Sequence, residues 1–544
     1  MAVPFQKTFL RQSEWGLAVL LTVAAVGLHF FYLIHAGGLW RDEISVKSIA
    51  TLPSFGQVWE ALPHDHCPIL FPSLVRIWSA SGLGTTDIGL RILGLGCGLL
   101  LLAAFWVASR TMDQGLPLLS LALAGLNFTV IRYGDSIRAY GLATVFILLT
   151  MSLIWRFIEA PTMRRGLLAG MAAVLSVQTL YQNAFFLLTI CIAGAIVCLR
   201  RHQLRKAMAV LSIGLPAALS LLPYVDPMRQ AQSWWIVSKT GVNFLGFLFR
   251  IAEATGMLVG VWVVLVLIAA LFGIGCILIK TSPDETRVHQ DLLLFTSIAL
   301  VIGLAGFGFF IKLSGLPTQR WYYIPAMGFA VVCCDIILPR IHQAARIGVL
   351  VIAVVVALFA FPTAQSALKL PQTNGDLVAA QVLQNARPDD LIIVHPWYYG
   401  ITFGHYYRGT VSWTTLPPLE DYRFHRYDLI KSKLQMTNVI EPGLKQVETA
   451  LRSGHSVWII GKIHRPQPDE PLPVDLPPAP NGPEGWADRP YSDAWSAKLI
   501  YFLVYHITNA VTLVDPTTNS VSPMENMSLT IATGWRSPAQ INSP

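Results

Sequence analysis

Charged residues are scarce in this chain. Asp, Glu, Lys and Arg together make up 13% of its 544 residues, whereas hydrophobic residues make up 54%. Soluble domains carry about 25% charged residues, so half that share in a chain of this length is typical of an integral membrane protein. The composition therefore argues against a soluble enzyme.

Several motifs of familiar chemistry are missing as well. The chain has no Walker A motif, no GxGxxG ahead of a helix and no HExxH, which argues against a nucleotide-driven pump and a membrane zinc protease. Its seven cysteines form no CxxC pair, and six of them fall inside long apolar runs. Neither a disulfide framework nor a cysteine metal site is predicted, and no internal repeat is visible.

What the chain has in abundance is apolar runs long enough to cross a hydrocarbon core of about 30 Å. We predict eleven spans: Trp15–Ile34, Ile88–Ser109, Leu116–Ile131, Ala139–Ile158, Gly166–Leu180, Ala184–Leu199, Ala207–Leu222, Met257–Ile279, Leu292–Ile311, Trp321–Leu338 and Ile347–Phe361. The polar residues 181–183 alone separate the fifth run from the sixth. The number of spans is therefore least secure between residues 166 and 199.

Basic residues of the short loops predict the orientation. When the N-terminus is placed inside, every strong basic cluster falls on the inner side: Arg110, then Arg156 with Arg164 and Arg165, then Arg200, Arg201, Arg205 and Lys206, then Lys280 and Arg287, then Arg340 and Arg346. The net charge of +8 is therefore a topology signal and needs no nucleic-acid partner. The first run lacks a small-residue cleavage site, so we interpret it as a membrane anchor.

Two further parts accompany the spans. Residues 35–87 form a large outer loop within a membrane domain of residues 1–365, and its stretches "ISVKSIATL" and "ILFPSLVRIWSAS" predict interfacial helices, as does "VNFLGFLFRIAEA" ahead of the eighth span.

In residues 366–544, the strand candidates "DDLIIVH", "HSVWIIGK", "KLIYFLVYH" and "AVTLVD" alternate with helix candidates such as "DLVAAQVLQNA" and "GLKQVETALRSG". This alternation predicts an extracytoplasmic α/β domain, with a Pro-rich insertion at 465–490.

Polar residues of interest gather in the segments predicted to lie outside. They are Asp42 and Glu43 in "WRDE", Arg132, Arg138 and Tyr140 in "IRYGDSIRAY", and Lys312, Arg320 and Tyr323 in "KLSGLPTQRWYY". Arginine and lysine suit an anionic phosphate, and a nearby carboxylate suits a general base that takes a proton from a hydroxyl. The cations would also stabilise charge on a leaving phosphate. The combination indicates transfer of a group from a lipid phosphate to an alcohol.

One compact cluster has metal-capable side chains. His64, Asp65 and His66 lie in "LPHDHCP", also in the outer loop. Two histidines that flank a carboxylate suit a divalent metal ion, but an interfacial loop whose polar groups contact the acceptor or other loops explains the same residues. Both interpretations remain open.

The order of these segments resembles the C-type (GT-C fold) glycosyltransferases, specifically the bacterial relatives of protein O-mannosyltransferases and of the lipid A aminoarabinose transferase (glycosyltransferase family 39). The first span is followed by an outer loop that opens with an Asp-Glu pair. The stretches "HDHCPILFPSLVRIW", "DIGLRILGLGCGLL", "RYGDSIRAYGLATVF" and "QRWYYIPAMGFAVV" are similar to the family's interfacial helix, second span, Arg-x-Tyr loop with fourth span, and Arg-Tyr-x-x-Pro helix. The resemblance covers about residues 15–365.

This resemblance implies an inverting transfer from a polyprenyl-phosphate (undecaprenyl-phosphate type) sugar to a hydroxyl of an envelope glycolipid, polysaccharide or protein, at the outer face of the bacterial inner membrane. It implies that Asp42 is the base and that Glu43 supports it or contacts substrate. By the same resemblance, four cations hold the lipid phosphate and two tyrosines position it: Arg132, Arg138, Lys312, Arg320, Tyr140 and Tyr323. In relatives, an acid in the second half of the loop serves a metal or acceptor site, and here that position has His64, Asp65 and His66.

Two other functions are compatible with many spans: a transporter or flippase for lipid-linked sugars, and a non-catalytic subunit of a polysaccharide assembly complex. Transporters commonly place their functional polar residues near mid-membrane and often show inverted repeats. Here the polar residues collect at one predicted face instead. An Asp42→Asn change separates the enzyme from the non-catalytic subunit, because it should abolish the function of the enzyme and leave that of the subunit largely intact.

Overall fold

A computed structural model describes residues 2–65, 67–234, 244–278, 284–314, 318–461, 476–480 and 488–536. The chain divides into two compact units. The first unit comprises Met1–Ile34, Cys67–Val225 and Thr240–Lys369, and the second comprises His35–His66, Asp226–Lys239 and Leu370–Pro544. The opening part of the predicted outer loop therefore belongs to the same unit as the C-terminal region.

The first unit is helical. Its main helices are Ala2–His35, Leu70–Ala80, Asp87–Asp113, Phe128–Gly134, Tyr140–Glu159, Met163–Thr179, Asn183–Arg200, Leu204–Leu219, Phe244–Thr255, Val259–Leu278, Asp284–Ser314, Ile324–Ile337 and Gln343–Leu368. Within the described residues, nine helical segments are long and apolar enough to cross a membrane, and each of them overlaps one predicted span. The chain is a multi-pass membrane protein, as predicted.

The other two predicted spans differ from those nine. Residues 116–131 do not form one helix, because a π-helical turn at Ser120–Gly125 ends at Leu126 and a new helix begins at Phe128. The Asn127 side chain accepts hydrogen bonds from the backbone N–H groups of Thr129 and Val130, at 2.8 and 3.1 Å. Because a capping asparagine starts a helix instead of continuing one, this run consists of two short helical segments and not of one continuous helix.

Residues 166–199 form two separate helices, Met163–Thr179 and Asn183–Arg200. The break is stabilised by the buried amide of Asn183, which donates to the Ala143 carbonyl at 2.8 Å and to the Ser176 hydroxyl at 3.0 Å. The polar residues at 181–183 therefore do separate two helices. The first of these helices has 17 residues.

The helices predicted outside the spans are present. The outer loop contains Arg41–Ala50, Phe55–Ala61 and Leu70–Ala80. The stretch "VNFLGFLFRIAEA" contains the helix Phe244–Thr255, which a short 3-10 turn separates from Val259–Leu278.

The second unit contains a five-stranded mixed sheet. Its strands are β1 (Leu391–His395), β2 (Ser412–Thr415), β3 (Val457–Gly461), β4 (Asn509–Val514) and β5 (Leu529–Thr533), in the order β2-β1-β3-β5-β4. Strands β2, β1 and β3 are parallel, and β5 pairs antiparallel with both β3 and β4. Further helices of this unit are Gly375–Asn385, Tyr399–Tyr406, Tyr427–Leu434, Glu441–Arg452 and Arg489–His506.

Side chains of the central strands alternate between two cores. Leu391 and Ile393 pack with the helices Glu441–Arg452 and Arg489–His506 on one face, and Ile392 and Val394 pack with Gly375–Asn385 and Tyr399–Tyr406 on the other. Strands that are apolar along nearly their whole length are expected to be buried on both faces of the sheet, as these are. The α/β prediction is confirmed.

One predicted strand is a helix. The stretch "KLIYFLVYH" at 498–506 is the second half of the helix Arg489–His506. Its β-prone composition is overridden because Leu499, Ile500 and Leu503, which lie at helical spacing, enter the core, whereas Val504 is exposed. The helix predicted in "GLKQVETALRSG" is present as Glu441–Arg452, and Gly454 follows it with φ +81°, as is common after a helix end.

Candidate active site

The two acids of "WRDE" begin the helix Arg41–Ala50, which follows the extended residue Trp40. Glu43 is fully buried and its carboxylate accepts a hydrogen bond from the Trp40 backbone N–H at 3.3 Å. Glu43 thus caps the helix that carries it, and an acid in the first turn also suits the helix dipole. Asp42 is different, because 15% of its side chain stays exposed.

Arg41 attaches this helix to the C-terminal part of the second unit. Its guanidinium donates to Glu525 Oε2 at 3.0 Å, and its backbone N–H lies 3.3 Å from the same oxygen. Glu525 is fully buried and also accepts from the Thr373 hydroxyl at 3.0 Å. Burial alone would lower the pKa of Arg41, but the Glu525 and Asp42 carboxylates raise it above its usual value. Arg41 is therefore a permanent cation beside Asp42.

The Asp42 carboxylate lies between two basic groups. Its Oδ1 is 3.7 Å from Arg41 Nε and 3.6 Å from His425 Nε2. The His425 ring is held in place by Tyr427, on which it stacks at 5.5 Å and 12°, and by the edge of Trp397 at 6.2 Å. The Asp42 carboxylate is thus partly exposed and is flanked by a guanidinium and an imidazole.

Ion pairs fix the loop that carries His425. Arg426 donates to Asp421 at 2.7 Å and to both carboxylate oxygens of Asp428 at 2.7 and 2.9 Å. Burial acts to raise the pKa of Asp421, but hydrogen bonds from Arg423 and Arg426 lower it to about 2. The loop keeps these charges at neutral pH, and Arg426 holds the segments on both sides of His425 together.

His64 packs against the same loop. Its ring stacks on Trp234 at 4.5 Å and lies 5.2 Å from the Phe424 ring, and its Nδ1 is 3.9 Å from Asp428 Oδ1. Burial lowers the pKa of His64 to about 4, although Asp428 acts in the opposite direction. His64 is therefore a neutral imidazole at pH 7.

The predicted metal cluster is only partly within the described residues. Asp65 is buried next to His64, and His66 lies outside the described part of the chain. Among the residues described, no group of three His, Cys, Asp or Glu side chains is arranged to hold a metal ion. A divalent ion at this cluster stays a prediction.

The predicted phosphate-binding residues belong to the first unit, where aromatic contacts bring two of their sequence stretches together. Arg132 is buried at the end of the helix Phe128–Gly134 and donates to the Ala367 carbonyl. The adjacent Tyr133 ring lies 4.8 Å from the Trp321 ring and 5.5 Å from the Arg320 guanidinium. The "IRY" and "QRW" stretches are thus brought together through Tyr133.

A second contact links the same two stretches. The Arg138 guanidinium lies 5.8 Å from the Tyr140 ring, and Tyr140 lies 6.0 Å from Tyr322. Tyr323 is placed elsewhere, with its ring 5.3 Å from Phe307 and its hydroxyl 3.2 Å from the Thr318 hydroxyl. Lys312 is exposed in the last turn of Asp284–Ser314.

A buried hydrogen-bonded pair of side chains, His29 and Asp135, supports the Arg132–Tyr140 segment. His29 Nδ1 lies 2.8 Å from both carboxylate oxygens of Asp135. Gly98 makes room for this pair, because a Cβ at this position would lie 1.9 Å from Asp135 Oδ1 and 2.6 Å from His29 Nδ1. Asp135 therefore has a structural role in the first unit.

Sequence reasoning missed three residues around Asp42: Arg41 as an anchor, its partner Glu525, and His425. The stretch "EDYRFHRYD" at 420–428 contains acids, bases and aromatics in close succession, and this density is the signal that points to His425. Glu525 has no comparable local signal.

No protein-family model and no curated protein sequence matches this chain. Among solved structures, ArnT from Cupriavidus metallidurans in the apo state is similar over 82% of this chain and 92% of its own, with a TM-score of 0.51 and 13% identity. ArnT bound to undecaprenyl phosphate is similar over 82% of this chain and 93% of its own, with a TM-score of 0.48 and 13% identity. The Archaeoglobus fulgidus oligosaccharyltransferase, in a complex with Zn and sulfate, is similar over 81% of this chain and 67% of its own, with a TM-score of 0.47 and 11% identity.

The similarity to apo ArnT concerns architecture. This chain has the GT-C fold together with a C-terminal α/β domain, as the sequence resemblance implied. At 13% identity the comparison assigns no role to any single residue.

Proposed function

We propose that this chain is a glycosyltransferase that moves a sugar from a polyprenyl-phosphate donor to a hydroxyl acceptor, with Asp42 as the general base. The GT-C fold supports the enzyme class. One observation carries the choice of base: Asp42 is partly exposed between Arg41 and His425, whereas Glu43 is fully buried and caps its own helix. Glu43 then supports the helix that presents Asp42.

The reaction proposed is a single displacement with inversion. Asp42 takes the proton of the acceptor hydroxyl, and the resulting oxygen attacks the anomeric carbon from the side opposite the phosphate. The bond from the anomeric carbon to the phosphate oxygen breaks, and polyprenyl phosphate leaves with the electron pair. The donor class is supported by ArnT, which shares the fold and has been crystallised with undecaprenyl phosphate.

Cations of the first unit are proposed to hold the lipid phosphate. Arg138 and Arg320 each lie near an aromatic ring, which orients a guanidinium, and Arg132 is held by the Ala367 carbonyl. Arginine binds phosphate through two parallel hydrogen bonds and stabilises the charge that grows on it. Lys312, Tyr140 and Tyr323 are assigned to the same donor as additional contacts.

His425 is proposed as a positioning residue for Asp42. An N–H directed at the carboxylate favours its ionised form, which is the form that accepts a proton. The stacking on Tyr427 fixes the imidazole plane and so the direction of Nε2. The environment proposed for the reaction is the outer face of the bacterial inner membrane, in keeping with the charge bias of the loops.

Transfer by the purified full-length protein tests this function. The protein is incubated with a panel of polyprenyl-phosphate sugars and a membrane extract, and mass spectrometry scores sugar release and transfer. We expect Asp42→Asn to lower turnover by about 10²–10⁴-fold, the range for loss of a general base. Asp226→Asn, at a carboxylate that is 92% exposed in the same unit, is the matched control and should keep full turnover.

Two variants at His425 refine the assignment. His425→Phe keeps a ring for stacking but removes the N–H near Asp42. We expect kcat to fall about tenfold with KM unchanged, because about 1.4 kcal/mol of lost electrostatic support for the carboxylate corresponds to that factor. His425→Gln keeps a donor and should recover part of the loss. Full turnover in Asp42→Asn would reject the proposed base, and no turnover of any donor by the wild type would favour the transporter or subunit alternatives.

A further inference from the structure

The first unit contains a cavity of about 280 Å³ that is lined by none of the predicted site residues. Four of its lining residues are arginines: Arg11, Arg110, Arg340 and Arg346. All four come from the segments that the charge bias places on the inner side. Four like charges around one cavity need anionic partners, because their mutual repulsion otherwise destabilises the fold.

Carboxylates of the same cavity hold two of these arginines. Arg346 donates to both oxygens of Glu14, each at 2.5 Å. Arg340 forms an ion pair with Asp113 and also donates to the backbone carbonyl of Ile336. These contacts fix two guanidinium groups at the cavity wall.

The third carboxylate of the wall is already satisfied. Asp335 accepts from the backbone N–H groups of Leu119 and Ser120, at 2.7 and 2.9 Å, and from the Ser120 hydroxyl at 2.6 Å. Each of its oxygens therefore has a donor from the segment 119–120. The wall therefore has four arginines and three carboxylates, and Arg11 and Arg110 form no ion pair with these carboxylates in the described part of the chain.

Arg110 is held in place without a carboxylate among the described residues. Its guanidinium donates to the Gln114 carbonyl at 2.8 Å and lies 5.4 Å from the Trp15 ring. Trp15 lines the cavity and is 37% exposed. In the described part of the chain, the Nε of Arg340 is buried and has no hydrogen-bond partner. The cavity thus presents oriented donors and an excess of positive charge.

We propose that this cavity binds a phosphate group, and that the phosphate belongs to the headgroup of an anionic membrane lipid. Guanidinium groups match phosphate in charge and geometry. Arg110 and Arg340 lie in the last turns of Asp87–Asp113 and Arg320–Arg340, two apolar helical segments long enough to cross a membrane. Trp15, which lines the cavity, is of the residue type enriched at the level of lipid headgroups. A volume of about 280 Å³ admits a headgroup. The site is independent of the proposed donor phosphate and of Asp42.

Native mass spectrometry of the full-length protein tests this site. The protein in detergent is titrated with phosphatidylglycerol, with phosphatidylcholine as the lipid without net charge. We expect phosphatidylglycerol to bind at least tenfold more tightly, and Arg110→Gln to remove about tenfold of that affinity, since a charge-assisted hydrogen bond is of that order. Arg205→Gln, at an exposed arginine of the same predicted side, is the matched control.

The outcomes separate lipid from free phosphate. Inorganic phosphate at the same concentration should not displace the lipid; displacement would assign the cavity to a free anion and overturn the lipid source. Equal affinities of wild type and Arg110→Gln, or of the two lipids, would overturn the site altogether. If Arg110→Gln lowers the melting temperature, Arg11→Gln replaces it, because Arg11 is exposed and its loss removes charge without removing packing.

Discussion

Glu525→Gln tests how the helix that carries Asp42 is anchored. Glu525 is fully buried, and its carboxylate accepts from the Arg41 guanidinium, the Arg41 backbone N–H and the Thr373 hydroxyl. Glutamine has almost the same size, so the change removes the negative charge and one acceptor without opening a cavity. The Arg41 guanidinium, 16% exposed, is left beside a neutral amide.

The expected loss is large for a single substitution. Breaking a buried ion pair by removing one partner costs about 3–5 kcal/mol, and each hydrogen bond to a charged group contributes about 1.5–3 kcal/mol. Because glutamine keeps one oxygen acceptor, we expect about 3 kcal/mol. At about 1.4 kcal/mol per factor of ten, this corresponds to more than 100-fold faster opening of the helix Arg41–Ala50.

Hydrogen exchange followed by mass spectrometry measures that opening in the intact protein. Amides of the helix Arg41–Ala50 should exchange faster in Glu525→Gln, while those of Tyr140–Glu159 in the first unit stay as in the wild type. Glu448→Gln is the control, because Glu448 forms an exposed i,i+4 pair with Arg452 for which about 0.3–0.5 kcal/mol is expected. The double variant Arg41→Met with Glu525→Met removes both charges and should recover most of the protection.

Exchange of the Arg41–Ala50 amides within about threefold of the wild type would refute this reasoning, since about threefold is below 1 kcal/mol. A double variant as open as Glu525→Gln would also refute it. In that case the anchor would be side-chain packing and not the ion pair.

Two further predictions concern stability. His64 has a pKa of about 4 in the folded protein and about 6.5 in an unfolded chain, so its contribution to the free energy of unfolding is complete above pH 6.5 and is lost as the pH falls toward 4. Chemical unfolding should show up to about 3 kcal/mol of lost stability over this pH range, and His64→Gln should reduce this pH dependence. An equal pH dependence in the variant would contradict the assignment. Gly98→Ala forces a Cβ against the His29–Asp135 pair and should destabilise the first unit by about 2 kcal/mol. The control is Gly96→Ala on the same helix, where a Cβ meets nothing within 4 Å and the change should be neutral or stabilising. Equal melting temperatures of the two variants would show that the His29–Asp135 pair can move aside without loss of stability.

Much of the fold could be predicted because its signals are local. Apolar length identifies the spans, and nine of the predicted runs correspond to helices long enough to cross a membrane among the described residues. The strands Leu391–His395 and Val457–Gly461 are continuous apolar runs, which indicate strands buried on both faces. Short-range hydrogen bonds and side-chain periodicity act over a few residues, so they can be recognised without knowing the partners.

One local prediction failed where distant contacts decided the outcome. The stretch "KLIYFLVYH" has the composition of a strand, yet it is helical because that conformation sends Leu499, Ile500 and Leu503 into one core. The run at 116–131 is helical but interrupted, because the side chain of Asn127 caps a new helix within it. Intrinsic preferences of about 1 kcal/mol or less per residue are readily outweighed by such contacts.

The sequence by itself determined that this is a multi-pass membrane protein with a C-terminal α/β domain, and it singled out the Asp42–Glu43 pair by its position after the first span. Only the tertiary structure distinguished the two acids, with Glu43 buried as a cap and Asp42 partly exposed beside His425. The physical reason is the distance along the chain over which each property is determined. Apolar length and charge bias are sums over neighbouring residues, whereas the surroundings of a carboxylate depend on side chains that folding brings together from distant parts of the chain.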